Sequence, residues 1–264
     1  MEVGPGVDTT MVGRRVIVAG HGIGTYAEFV CAPALAATPI PDALSATAAA
    51  AVVMGGSVAL ALADRVTVSP GGTVLIEAAG TGVGGYLTQL VSNRGVRVVA
   101  TAGSDANRAR ARELGADAVI DHRNSGWAEQ LKTLLGHTTI DVLFESIGGD
   151  ADHRLLDAMT PGSGHILLYG LLSGAESKIS TSDLLGRGLT VTGCGGPAWL
   201  TQVAQRRAAA LDMAARGELT PLIDSVLPLE AAEQAHRRIE SRETTGTIVL
   251  EPREGHLRTS GGRE

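Results

Sequence analysis

The densest run of residues able to do chemistry is Gly80-Thr81-Gly82-Val83-Gly84-Gly85. A diphosphate can rest on the unpaired N–H groups of a helix start only where no side chain keeps the backbone away. Glycine removes that obstacle and also tolerates the positive φ of a tight turn, while the Thr81 hydroxyl can itself donate to a phosphate oxygen. Context makes the run specific. It follows an apolar stretch, Val74-Leu75-Ile76, and precedes a helical pattern of Tyr86, Leu87, Leu90 and Val91. A second apolar stretch, Val96 to Ala100, completes a strand–turn–helix–strand unit of dinucleotide-binding length. The glycines at 20–24 and 193–196 lack that setting.

The second strand of the unit ends at Thr101, followed by Ala102, Gly103 and Ser104. An acidic residue here accepts from a ribose 2′-hydroxyl and repels a 2′-phosphate. Asp105 stands at about that distance, which argues for NADH. Ser104, however, reads as an N-cap that puts Asp105 in a first helical turn, where a carboxylate is favoured anyway. Arg108 and Arg123 lie nearby and can grip a phosphate with two donors, or serve as solvated surface charges.

Other chemistry finds little support. The seven histidines show no HxxxH or HExxH spacing, and Cys31 and Cys194 are too far apart for a zinc ribbon. Gly55-Gly56-Ser57-Val58-Ala59 approximates a nucleophile elbow but falls inside a predicted helix, so Ser57 reads as a packing residue. Cys194 ends an apolar strand and reads as core. Tyr26 is a candidate for a substrate pocket and equally a half-buried strand aromatic; His21 and Glu28 stand similarly. No catalytic residue is assigned.

Around these residues the pattern alternates. Strands are expected near 73–77, 96–101, 117–120, 140–144, 164–169 and 188–193, with helices over 105–114 and 125–135 between them. A capped alanine-rich helix precedes them from Ala46 to Ala63, and a long one follows over 198–216. That is an α/β architecture with a parallel sheet covered on both faces. Residues 1–46 read as β and turn, with strands over Arg15 to Ala19 and Tyr26 to Ala32. A strand at 226–227, a helix over 229–239 and a strand over 247–250 come last. The tail 253–264 reads as disordered. A net charge of −6 without a basic stripe argues against nucleic acid. The N-terminus does not read as a signal peptide, no apolar run is expected to reach transmembrane length, and the cysteines fit a reducing cytoplasm.

Five segments in order, EVGPGVDTTMVGRRV at 2–16, GTYAEFV at 24–30, VLIEAAGTGVGGYLTQL at 74–90, ARELGADAVIDHR at 111–123 and DVLFESIGGD at 141–150, resemble the medium-chain dehydrogenase/reductase superfamily. The likeness is to its zinc-independent quinone oxidoreductase and enoyl reductase branch. It implies a doubly wound Rossmann domain over 47–217 and a reduced GroES-like β-rich substrate domain from 1–46 and 218–252. Family members carry roughly sixty further residues before this point, so the chain is expected to begin inside the substrate domain, without that domain's tyrosine and asparagine.

The resemblance also implies roles. Gly80, Thr81, Gly82, Val83 and Gly84 would hold the diphosphate, with Thr81 where a glycine is usual. Thr101, Ser104, Asn107, Arg108 and His122 would surround the ribose phosphate, Asn107 and His122 standing where relatives place a lysine and a tyrosine. Ser146, Ile147, Gly148 and Gly149 would approach the nicotinamide side, with Tyr169 and Gly170 near the ring. Val58 replaces a threonine that touches the cofactor, and Met54-Gly55 replaces a zinc-ligand cysteine. The expected activity is zinc-independent, NADPH-dependent reduction of a quinone or an α,β-unsaturated carbonyl in a cytoplasmic homodimer. Two alternatives stay open: an NADPH-binding module without turnover, and a non-redox enzyme reusing the cleft.

Overall fold

The structure is a computed structural model that describes residues 2–18, 24–149 and 154–252. Its centre is a six-stranded parallel sheet in the order β5-β4-β3-β6-β7-β8. The strands are β3 (Thr73–Ile76), β4 (Arg97–Thr101), β5 (Ala118–Ile120), β6 (Val142–Glu145), β7 (His165–Leu168) and β8 (Thr190–Gly193). Every residue of β3 and β6 is buried, as their unbroken apolar runs require of strands covered on both faces. Alternate side chains part to opposite sides: Val74, Ile76, Val98, Ala100, Val142 and Phe144 enter one core, and Leu75, Val99, Leu143 and Ile166 the other. The order reverses between β3 and β4 on one hand and β6 on the other, and a crevice opens at such a switch point.

The first core is covered by α1 (Ala46–Ala63), α2 (Gly82–Ser92) and the pair α6 (Gly196–Gln205) and α7 (Arg207–Ala215); the second is covered by α4 (Trp127–Leu135), through Trp127, Leu131 and Leu135. Between these, α3 (Asp105–Glu113) follows β4, and α5 (Thr181–Arg187) precedes β8. Ser45 caps α1 by accepting from Ala48 N–H at 3.0 Å, and Ser57 is buried with its hydroxyl turned back on Val53. Contrary to expectation, α1 is long and apolar enough to cross a membrane, with a mean hydropathy of 1.9 over its 18 residues. Two thirds of it is buried against the neighbouring helices, and that burial accounts for its composition.

Two small sheets flank the main one. In the first, β1 (Val16–Val18) pairs antiparallel with β2 (Ala37–Pro39). In the second, β10 (Thr247–Glu251) pairs parallel with β9 (Ile223–Pro228). The expected strand over Tyr26 to Ala32 does not form: residues 26–29 run as bends with Tyr26, Phe29 and Val30 exposed, because among the described residues no strand pairs with the run and no core covers it. The expected helix over 198–216 is two, broken at Arg206. His21 and the expected disordered tail lie outside the described residues.

The return segment is tied firmly to the main sheet's helices. Tyr86 on α2 donates to Ala51 O at 3.1 Å and accepts from Leu222 N–H at 3.0 Å; its burial raises the phenol to about 12. Gln89 pairs with the Thr220 backbone through both amide atoms. Beyond them, Asp224 accepts from Thr245 N–H at 2.9 Å and from Arg238 on α8 (Ala232–Glu240) at 2.7 Å. Burial alone would raise the Asp224 carboxyl, but these donors, with Ser225, outweigh it and hold the group below its ordinary value. A depressed carboxyl contributes stability above its unfolded pKa, and that contribution is lost as pH falls through the folded value. Asp224→Asn is therefore expected to cost about 1–3 kcal/mol at pH 7. The deficit should shrink in denaturant titrations carried below about pH 4.

Candidate cofactor cleft and family

At the C-terminal edge of the main sheet the chain leaves β3 through Glu77, Ala78 and Ala79 and enters the glycine turn. Ala78 takes φ +50°, a left-handed conformation uncommon for a residue with a Cβ. Ala79 N–H donates to Thr101 O at 2.9 Å, holding the turn against β4. The glycines then divide by task. A Cβ on Gly80 would lie 2.3 Å from Asn107 O, one on Gly84 2.5 Å from Ala78 O, and one on Gly85 2.5 Å from the Leu222 side chain. Gly82, by contrast, faces open space with φ +53° as the first residue of α2. Thr81 is extended, φ −154°, and spends no side-chain hydrogen bond on capping. A residue with a Cβ therefore stands there without strain, and the glycine displaced to position 80 is the one the packing requires.

A cleft of about 410 Å³ opens beside this turn. Of the residues expected in a site, Gly80, Thr81, Ser104, Asn107 and His122 line it, with Ala78 and Ile147. Ser104 caps α3, accepting from Asn107 N–H at 3.1 Å. His122 accepts or donates through Nδ1 to the Thr101 hydroxyl at 3.0 Å, which fixes the ring. Burial lowers the imidazole below its ordinary value; Asp121 opposes this, while Arg123, Arg242 and Arg108 reinforce it.

The rest of the expected set stands beside or behind the cleft. Gly82, Val83 and Gly84 form the first turn of α2, whose leading N–H groups have no partner within the helix. Thr101 is fully buried under His122. Arg108 is not a free phosphate clamp: it is held by Asp105 and, at 2.7 Å, by Asp121. The same pairing turns Asp105 to Arg108, and Asp105 does not line the cleft. Ser146, Gly148 and Gly170 build the wall behind Ile147. Gly170 approaches Ser146 O so closely that a Cβ would lie 2.8 Å from it, and Gly148, at φ +73°, meets Ala175 O in the same way. Tyr169 packs into the first core, its hydroxyl raised by burial. Tyr26 is exposed and does not line the cleft; its hydroxyl lies 3.1 Å from His236 Nε2. Glu28 is exposed as well.

Sequence reasoning missed the far wall, which consists of Leu172, Ser173, Ile239, Arg242 and Thr244. Arg242 is the telling member. It takes φ +58° and donates to Leu172 O at 3.1 Å, closing the cleft over a separation of 70 residues. No local spacing signals such a contact. Among the described residues no cluster of three or more His, Cys, Asp or Glu side chains is placed to hold a metal.

The cleft suits a dinucleotide on three counts: an open glycine at a helix start, a threonine hydroxyl unspent on capping, and a buried Asn107 Oδ1 that finds no partner within the protein. Comparison with known proteins agrees. Residues 82–216 match the family model described as zinc-binding dehydrogenase. A 2-haloacrylate reductase of Burkholderia sp is 30% identical over 262 residues, which are 95% of this chain and 78% of that protein. A quinone oxidoreductase of Sus scrofa is 30% identical over 251 residues, 94% of this chain and 75% of the relative. The crystal structure of Escherichia coli quinone oxidoreductase complexed with NADPH superposes with a TM-score of 0.85 at 28% identity, covering 95% of this chain and 79% of that one. A family model matching over 82–216, superposition on a solved quinone oxidoreductase and similarity along nearly all of the sequence lead to one conclusion: this chain belongs to the zinc-binding dehydrogenase family of medium-chain dehydrogenases/reductases, in its zinc-independent quinone oxidoreductase branch.

Proposed function

We propose that the protein is a zinc-independent, NADPH-dependent oxidoreductase that reduces a quinone or an α,β-unsaturated carbonyl compound. The observation that carries this reading is the cleft at the sheet's switch point, walled by the glycine turn on one side and by Arg123, His122 and Arg242 on another. Two relatives support the substrate class by name, one a quinone oxidoreductase and one a 2-haloacrylate reductase. A structural relative complexed with NADPH supports the cofactor.

When bound, NADPH supplies a hydride to the substrate. The residues of this chain bind and orient it. The first N–H groups of α2 and the Thr81 hydroxyl would hold the diphosphate. Ser104, Asn107 and His122 would bound the ribose, and Arg123 and Arg242, which line the cleft, would face its 2′-phosphate, since Arg108 is held by both Asp105 and Asp121 whereas Arg123 shares only Asp121, at 3.5 Å. Ile147 and the strand ends behind it position the reacting end. The oxygen that becomes an enolate or quinol takes its proton from water, so the chemistry needs no acid–base side chain beyond these. Decay of nicotinamide absorbance with NADPH and a panel of quinones and enones tests the reading; binding without consumption would leave a non-catalytic NADPH-binding module.

The protein works as a homodimer in the cytoplasm on this reading. The unpaired cysteines, Cys31 exposed and Cys194 buried, suit a reducing compartment. Strand β8 is the sheet's outer edge, exposed at Thr190 and Gly193 and half-buried between, and an isologous pair of such edges would continue the sheet across a two-fold axis. Thr190 and Cys194 donate inward, to Gly164 O and Leu168 O, so the N–H groups of Val191 and Gly193 point outward.

Two outcomes are expected. Arg242→Ala should raise the KM for NADPH about 10- to 100-fold, the worth of a charge-assisted bond, and leave that for NADH nearly unchanged. Equal loss with both cofactors would take Arg242 away from the 2′-phosphate. Val191→Pro removes an outward donor while sparing the bonds to β7. Light scattering on a sizing column should then find a monomer where the parent chain gives a dimer.

A further inference from the structure

Behind the cleft, two carboxyl groups are buried that the chemistry above does not use. Glu77 and Glu145 are each 1% exposed. They extend neighbouring parallel strands, Ile76 being in register with Phe144, so the two side chains emerge together at the sheet's edge. Glu77 Oε2 accepts from Ser146 N–H at 3.0 Å and from Ile147 N–H at 3.1 Å. Glu145 Oε1 accepts from Gly148 N–H three residues on. Glu77 is also the residue immediately before Ala78, which opens the cleft floor, while Ile147 belongs to the opposite wall.

We propose that Glu77 is a positioning residue for the reaction: its carboxyl latches the Ser146–Ile147 wall of the cleft to the base of the glycine turn. One oxygen takes two consecutive backbone donors, and this arrangement sets the direction in which the chain leaves β6. Without that acceptor two buried N–H groups would have to reorient, and the Ile147 side chain with them.

The latch works as a neutral acid. Burial first, and the neighbouring Glu145 second, raise the Glu77 carboxyl well above the carboxylate range, because two like charges side by side in a dry interior cannot both persist. Glu145 also bonds to Glu77 through the side chain, so one proton serves the pair. Among the described residues the Tyr169 hydroxyl, raised by burial and by the nearness of both glutamates, is the further titratable group facing them. Glutamine reproduces the neutral acid: its carbonyl oxygen can accept both N–H groups and its amide can donate where the acid's O–H did.

The inference rests on reading the cleft as an NADPH site, and the experiment separates the two. NADPH affinity by fluorescence titration, steady-state turnover and amide hydrogen exchange are measured on the parent chain, Glu77→Gln and Glu77→Leu. The expected result is a Kd and KM for NADPH raised 10- to 100-fold in Glu77→Leu and restored to within about threefold in Glu77→Gln. Ligand-free exchange should be slow at Ser146 and Ile147 in the parent and in Glu77→Gln. Equal damage in both variants, or unchanged NADPH affinity in a folded Glu77→Leu, would overturn the proposal. Should Glu77→Leu not fold, fast exchange of those two amides in the parent chain would overturn it alone. A parent chain with protected amides that does not bind NADPH would sink the reading of the cleft and leave the latch standing.

Discussion

Nothing can stand between Gly80 and the Asn107 carbonyl. That single close approach, 2.3 Å to any added Cβ, sets the starts of α2 and α3 side by side at the edge of the sheet. Ala79 is bonded to the end of β4 at the same place, so the turn has no freedom to back away. Thr81 is then extended, and the chain regains helical geometry at Gly82 through a positive φ. The crevice beside the turn is therefore a product of backbone packing before any ligand is considered. Most of the glycine density answers to that packing: Gly84 and Gly85 are buried against Ala78 and Leu222, and only Gly82 opens to solvent.

Charge around the ribose end follows from the same crowding. Arg108 lies on α3 where both Asp105 and Asp121 reach it, and Asp121 also pairs with Arg123 at 3.5 Å, so two acids and two bases are linked in one cluster. Arg123, from that cluster, and Arg242 line the cleft, with His122 between the Thr101 hydroxyl and the open space. Desolvation and three neighbouring guanidinium groups keep that imidazole neutral in spite of Asp121. An anionic ligand arriving there would reverse the balance, since it both neutralises the guanidinium field and favours the imidazolium. Asp105 and the arginines at 108 and 123 stand close in sequence, and spacing alone sets them against one another as readers of a ribose. It does not show that Arg108 and Asp105 pair with each other.

How far the fold could be read in the residues depended on how local its causes are. The strands β3 to β8 were legible because burial on both faces imposes an unbroken apolar run, and Ser45 and Ser104 announced their helices because a cap is a contact of three residues. The Tyr26 to Ala32 run has the right composition for a strand, yet a strand also needs a partner, and among the described residues none runs beside it. The break at Arg206 lies in an alanine-rich stretch without a proline or glycine to mark it. For the site, the turn and the ends of β4 and β6 were recognisable by motif. The far wall was not, because Arg242 and Thr244 reach the cleft only through tertiary contacts with the return segment.

Those contacts make the two sides of the cleft one mechanical unit. Helix α2 begins at the glycine turn, and a turn later its Tyr86 hydroxyl holds the Leu222 amide while Gln89 holds Thr220. Leu222 in turn packs on Gly85 and accepts from Thr247 N–H, so β9 and β10 start from α2 itself. Asp224, two residues on, grips Arg238 and Thr245 and thereby brackets the segment that carries Arg242. A shift of α2 along its axis would thus move the glycine turn and the arginine wall in the same direction. The spacing between the glycine turn and the Arg242 wall is set by side chains, Tyr86, Gln89 and Asp224, that do not line the cleft.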